Sequence, residues 1–245
     1  MSRMESARLS PIAVIAQATF SGSIALVRLS RSTLRSVLPQ AIHPAEATAT
    51  SVACLLLFGE QRHATTCFAG VPMPWGVRYH ELMIAIPFVR WDHREGPFLF
   101  VHRMVCDYWP AVWVGNSYYG FNKSFARVDW DGRRFSVADG SNRLFCAELL
   151  ADLPARPETL NWIVTAAQLP VLGQREDSTF VSSRFDWNFE PASVRRTKMR
   201  LLPGQGSLGR LLEDRQRSDA YWVDGMRWRL SWPTSATDTI GESPS

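Results

Sequence analysis

The sequence predicts an α+β fold: a large antiparallel β-sheet, curled or closed into a barrel, with few helices at its periphery. Three observations carry that expectation. Apolar runs of strand length recur along most of the 245 residues. Two Asp-Gly pairs, Asp131-Gly132 and Asp224-Gly225, lie between or within such runs, and Asp-Gly is a strong hairpin signal. Helical spacing of apolar residues shows in only a few short stretches.

Taken in order, residues 1–18 have no clear period and read as a loose N-terminal segment. Residues 23–29 read as a strand, with Ser30 as the N-cap of a short helix over 31–38, where Leu34, Val37 and Leu38 recur at helical spacing before Pro39. Residues 41–50 read as loop. Residues 51–58 include Cys54, Leu55, Leu56 and Leu57 in succession, the pattern of a strand buried on both faces. Four Gly and Pro residues between 70 and 76 make 59–78 mainly loop. Residues 79–89 form the next strand, and alternation sets Tyr79, Glu81, Met83 and Ala85 on one face. Strands over 98–106 and 111–114 follow, then a loop over 116–123. Residues 125–130 and 133–137 flank Asp131-Gly132, which predicts a type I′ hairpin. A strand over 143–150 precedes a helix over 158–168, with Pro157 suited to the first turn. Residues 174–191 contain at least one strand. Arg196, Lys198 and Arg200 alternate with Thr197, Met199 and Leu201, so that charge run reads as a solvated strand face. Residues 208–217 read as a helix, and Asp224-Gly225 as a second hairpin. Residues 19–233 form one domain, and 234–245 a polar, disordered tail.

Composition narrows the function classes. At 46% hydrophobic and 11% aromatic residues the chain can bury a full core and is not a disordered type. A net charge of +4 from scattered arginines does not predict a nucleic-acid partner. Four cysteines without a C-x-x-C pair suggest reduced core thiols. No apolar run reaches the roughly 18 residues of a membrane span, so the expected setting is the cytoplasm, with no membrane association.

One residue stands out chemically. Of 27 basic residues only Lys123 and Lys198 are lysines, leaving 25 arginines. Lys123 lies among Tyr118, Tyr119, Phe121 and Phe125. An arginine stays charged in such surroundings, whereas a desolvated lysine can give up its proton and act as an amine nucleophile. The alternative is a surface lysine with its stem packed on rings.

Gly120-Phe121-Asn122-Lys123 resembles the Gly-Phe-Pro-Lys segment of the acetoacetate decarboxylase-like superfamily. Residues 27–40, with their Leu38-Pro39 ending, resemble its early strand and short helix. Tyr79-His80-Glu81 resembles its Tyr-x-Glu strand. The likeness spans roughly residues 20–150. It implies a Schiff-base lyase of decarboxylase, aldolase or dehydratase type, acting on a small keto acid or other carbonyl compound. Lys123 would be the nucleophile and Glu81 would orient substrate or move protons. Asn116, Tyr119, Asn122 and Ser124 would line the substrate pocket. A homo-oligomer is compatible with this reading. Two departures are visible: Ser124 stands where the family often has a second, activating lysine, and Phe20 stands in the register of a substrate-carboxylate arginine. A non-catalytic small-molecule binder on the same fold, or a structural, partner-binding protein, are the competing readings. No cofactor is expected. The histidine spacing predicts no metal site, and Gly204-Gln205-Gly206-Ser207-Leu208-Gly209, though it fits G-x-G-x-x-G, lacks a βαβ context.

Overall fold

The computed structural model describes residues 14–45, 51–68, 71–154, 156–202, 204–212 and 217–235. The long strands are β1 (Val14–Ser30), β3 (Ser51–Phe68), β5 (Val77–Trp91), β6 (Arg94–Cys106), β10 (Asn142–Leu153), β14 (Ser193–Leu202) and β15 (Arg217–Ser231). Shorter ones are β2 (Ile42–Pro44), β4 (Val71–Pro72), β7 (Lys123–Phe125), β8 (Arg127–Trp130), β9 (Arg134–Asp139), β11 (Val171–Gln174), β12 (Phe180–Ser183), β13 (Phe185–Asn188) and β16 (Thr234–Ser235). Among the described residues four helices join them: α1 (Arg31–Val37), α2 (Trp109–Tyr119), α3 (Pro157–Ala167) and α4 (Gly206–Leu212). None of these helices is long and apolar enough to cross a membrane.

The main path of the sheet runs β16-β12-β11-β6-β5-β3-β1-β15-β14-β10-β9-β8, mostly antiparallel, with β11 and β7 parallel to β6. It curls but does not close into a barrel: β16 and β8 are its two ends. Its central strands serve two cores, one on each face. On β3, Leu55 and Leu57 enter one core while Cys54, Leu56 and Phe58 enter the other. On β5, Met83 and Ala85 face the first and Leu82, Ile84 and Ile86 the second. The second core is covered by β8, β9, β10 and β14 through Val128, Phe135, Val137, Phe145, Met199 and Leu201. The first, which holds the site, is covered by α3, β13 and the end of β15 through Ile163, Phe185, Trp187, Trp228 and Leu230.

Asp224-Gly225 is what lets β15 reach both cores. It is not a hairpin tip but a bulge inside β15, where the register against β1 slips between Phe20↔Met226 and Ser21↔Asp224. Gly225 takes φ 85°, the left-handed geometry that favours glycine at such a bulge. Ser21 donates a short hydrogen bond to Asp224 and accepts one from the Gly225 N–H at 3.4 Å. Before the bulge β15 pairs with β14; after it, Arg227 to Leu230 pair with β13.

Asp131-Gly132 does close the β8–β9 hairpin, but not as type I′. Asp131 is the first residue of the turn, its carboxylate accepting from the Arg133 and Arg134 N–H groups at 2.8 and 2.7 Å. Gly132 alone has positive φ, whereas type I′ needs two such residues.

Other expectations are met or moved. Ser30 caps α1, its Oγ accepting from the Thr33 N–H. The strand expected to end at residue 58 continues to Phe68, because Gly59 faces Gly22 rather than turning the chain. A Cβ on Gly22 would lie 2.4 Å from the Phe58 carbonyl oxygen, so glycine here permits close strand approach. The expected strand over 111–114 is the middle of α2: Pro110 sits in the helix's first turn and Gly120, at φ 62°, ends it. Arg196 is buried, its Nη1 donating to the Pro154 carbonyl, while Lys198 and Arg200 are exposed as expected. β1 begins at Val14, inside the segment read as loose, and β16 holds the first two residues of the stretch read as a tail. Residues 1–13 and 236–245, to which those two readings mainly refer, lie outside the described residues, as do 46–50 of the expected loop and 213–216 of the expected last helix. The Gly204–Gly209 pattern leads into α4 from β14, a strand whose neighbours β10 and β15 are both antiparallel to it.

Candidate active site

Lys123 is held from three sides. The chain leaves α2 through Gly120 in left-handed geometry and Asn122 at φ 46°, then enters β7, where Lys123 pairs with Met104 of β6. The Asn116 side chain clamps its backbone, accepting from the Lys123 N–H at 2.6 Å and donating to the Lys123 carbonyl at 2.7 Å. Gly115 supplies room for the side chain: a Cβ there would stand 3.1 Å from Lys123 Cδ.

The amine so positioned donates to Glu81. Lys123 Nζ lies 2.6 Å from Glu81 Oε2, and the two residues are 9% and 8% exposed. Glu81 sits on β5, opposite Gly59 of β3 and Cys106 of β6. Its second oxygen accepts from Gln61 Nε2 at 3.4 Å, and Gln61 Oε1 accepts from Trp228 Nε1 at 2.8 Å. An indole can only donate, so this bond fixes which end of the Gln61 amide faces Glu81. The result is a directed chain Trp228→Gln61→Glu81←Lys123 linking β15, β3, β5 and β7.

This group opens on a cavity of about 260 Å3. Its walls include Phe20, Leu57, Met83, Phe121, Trp187 and Trp228, and Trp75 stands at the mouth, 64% exposed. Tyr79 and Tyr108 stack at 5.6 Å along one side. Burial first, and then the Glu81 charge, hold the Tyr79 phenol well above its ordinary value. Cys106, beside Glu81 in the sheet, is pushed up to about 11, mainly by burial, with the Lys123 charge opposing. Both therefore stay protonated near neutrality and bring no further negative charge to the site.

Of the residues picked from sequence, Lys123, Glu81 and Tyr119 line this cavity. The Tyr119 hydroxyl is committed to the Ser231 carbonyl at 3.0 Å, and its ring stacks on Phe121. Asn116 works on the Lys123 backbone. Asn122 is exposed and donates to the His102 carbonyl at 3.0 Å. Ser124 alternates with Lys123 on β7 and so turns to the other face. The sequence alone does not single out Gln61 and Trp228. Gln61 had a signal: it continues the alternation Leu55, Leu57, Gly59 on the face that carries Glu81's neighbours. Trp228 had none, since its partner lies 167 positions away.

His80, next to Glu81, points to the opposite face, where its Nδ1 meets Asp107 Oδ2 at 2.8 Å. It takes no part in the cavity.

No known family model and no curated protein sequence matches the chain. Solved structures do. An enduracididine biosynthesis enzyme, MppR, bound to the condensation product of pyruvate and imidazole 4-carboxaldehyde, superposes with a TM-score of 0.64 at 15% identity, over 96% of this chain and 93% of that one. Acetoacetate decarboxylase from Legionella pneumophila gives 0.63 at 14% identity, over 98% and 94%. An acetoacetate decarboxylase-like enzyme from Sphingomonas wittichii gives 0.64 at 14%, over 94% and 97%. The chain thus has the acetoacetate decarboxylase-like fold over nearly its whole length.

Proposed function

We propose that this protein is a Schiff-base-forming lyase in which Lys123 adds to the carbonyl carbon of a small molecule bound in the apolar cavity. The observation that carries the reading is the 2.6 Å contact between Lys123 Nζ and Glu81 Oε2 at the wall of that cavity. A buried ion pair is costly to desolvate and is weak evidence for stability, so its position against open volume argues for chemistry. The fold, shared with enzymes whose ligands include pyruvate, is consistent with it.

The pair can activate itself without a second lysine. The ammonium passes one proton to Glu81 along the existing hydrogen bond, leaving a neutral amine and a carboxylic acid; the net charge of the site does not change. The amine attacks the carbonyl carbon, and the carbonyl π pair moves to oxygen. A proton shifts from nitrogen to that oxygen, giving a carbinolamine. Glu81 then protonates the hydroxyl, water leaves, and the nitrogen lone pair forms the iminium. Glu81 is again a carboxylate and pairs with the new cation. The iminium can draw electrons from a neighbouring bond, in C–C cleavage, dehydration or hydration. Gln61 and Trp228 hold Glu81 in place through these transfers.

A second reading has one observation in its favour. Lys123 is already neutralised by Glu81, and Ser124 adds no like charge to loosen it. A non-catalytic binder of small molecules would look the same at rest. Borohydride reduction in the presence of a carbonyl panel, read by intact mass and peptide mapping, separates the two. A Schiff-base enzyme should give one adduct on Lys123, lost in Lys123→Arg, with exposed Lys198 unlabelled. Equal labelling of both lysines, or no adduct with the protein folded, would leave the binder.

A further inference from the structure

We propose that the cavity selects a neutral, apolar carbonyl compound, an aryl or branched-alkyl aldehyde or ketone, and discriminates against keto acids. Its chemistry rests on the Schiff-base reading above; the selectivity rests on the cavity walls alone.

The walls hold one cation. Among the described residues that line the cavity, Lys123 is the only basic side chain, and Glu81 already neutralises it. Three arginines on the same strands are engaged elsewhere. Arg62 pairs with Glu60 and Asp224, Arg78 pairs with Glu60 at 2.8 Å, and Arg229 pairs with Asp186 at 2.6 Å. A substrate carboxylate beside Lys123 would find no second cation among these lining residues, only neutral groups such as Tyr79 and Tyr108, and would face Glu81, a like charge. Once the iminium forms, Glu81 already supplies its counter-ion, so a second anion gains nothing there.

The walls instead fit a ring or a branched chain. Phe20, Leu57 and Met83 come from the three central strands, Phe121 from the turn before Lys123, and Trp187 and Trp228 from the paired strands β13 and β15. A dry apolar cavity of about 150 Å3 is enough for benzene. About 260 Å3 therefore has space for a ring and a short arm that carries the carbonyl to Lys123. Trp75 at the mouth can cover the outer edge of a larger ligand.

The test compares benzaldehyde, cinnamaldehyde and 3-methylbutanal with pyruvate and acetoacetate on the full chain. Two readouts are needed. Borohydride trapping reports the covalent step, and quenching of tryptophan fluorescence, to which Trp187 and Trp228 contribute, reports occupancy. The apolar compounds should trap on Lys123 and quench at concentrations roughly tenfold or more below those needed for the keto acids. Trp75→Ala, at an exposed position, should weaken cinnamaldehyde several-fold more than 3-methylbutanal. If apolar carbonyls quench but none traps, the selectivity stands and the Schiff-base reading falls. If the keto acids trap as well as or better than the apolar compounds, the chemistry stands and the selectivity is overturned. If neither class quenches, the selectivity is overturned too.

Discussion

At the scale of single residues, the site is a balance between two buried charges, and each substitution unbalances it in a definite direction. Glu81→Gln leaves the Lys123 ammonium in the cavity wall without a counter-ion. That should cost about 3–5 kcal/mol in chemical denaturation, the usual penalty for breaking a buried pair from one side. It should also remove trapping by borohydride, because the proton acceptor is gone. Gln61→Leu strands the Trp228 N–H and frees Glu81 to rotate. We expect a loss of about 1–3 kcal/mol, and slower adduct formation with ligand affinity little changed. Another titration lies outside the cavity. Burial first and Arg103 second hold the His102 imidazole down to about 4, from an ordinary 6.5, against an opposing backbone hydrogen bond at Val37. The unfolded chain takes up that proton below pH 6.5 and the folded chain only near pH 4. This contribution to stability is therefore complete above pH 6.5 and is lost as the pH falls toward 4. In His102→Gln that part of the acid limb should flatten, as read by thermal melts across pH. Lys123 and Glu81 were legible in the sequence because both are chemically conspicuous. One is a lysine in an arginine-rich chain, and the other is a carboxylate on an apolar strand face. Gln61 and Trp228 were not, because what makes them matter is their pairing with each other.

At the scale of elements, what the sequence hid were features that serve position rather than burial. The middle of α2 reads as a strand and its end as loop in the sequence because its apolar residues do not keep to one face: Trp109 and Trp113 point outward, 61% and 50% exposed. Period is a signal of burial, and a helix that displays aromatic rings on its open side loses it. Yet α2 is the element that brings Gly115 and Asn116 to Lys123. Gly115→Ala should shift the lysine stem by a few tenths of an ångström, because the new Cβ meets Lys123 Cδ at 3.1 Å. Trapping should slow while the melting temperature changes little, since the obstruction is a flexible side chain. Asp224-Gly225 is ambiguous in the sequence for a related reason. The same φ > 0 residue that makes a tight hairpin also makes a bulge, and only the partner strands decide which. Helix α1 was legible to within a residue because its signals are local: a Ser cap, an apolar period and a proline stop.

At the scale of the whole molecule, the two cores share their strands, and the expectation is that they unfold as one unit. Leu55 and Leu56 are neighbours on β3, both about fully buried, and they enter opposite cores. β3 is bonded to β1 along one edge and β5 along the other, so losing it would strip both cores at once. Leu55→Ala should therefore weaken more than the site core, and Leu56→Ala more than the far one. Each should cost about 2–5 kcal/mol, the usual range for a buried leucine. Both should displace one cooperative denaturation curve and leave its slope unchanged. The coupling also lets the cavity report on the fold as a whole. A ligand that binds only the native state stabilises it by mass action, and with one cooperative transition that stabilisation extends to both cores. A saturating ligand of the site should thus shift near-ultraviolet circular dichroism of rings in the far core, such as Phe135 and Trp130, to the same higher temperature as fluorescence of Trp187 and Trp228. If the ligand moved the fluorescence transition alone, the cores would be independent and the shared sheet a mere connection.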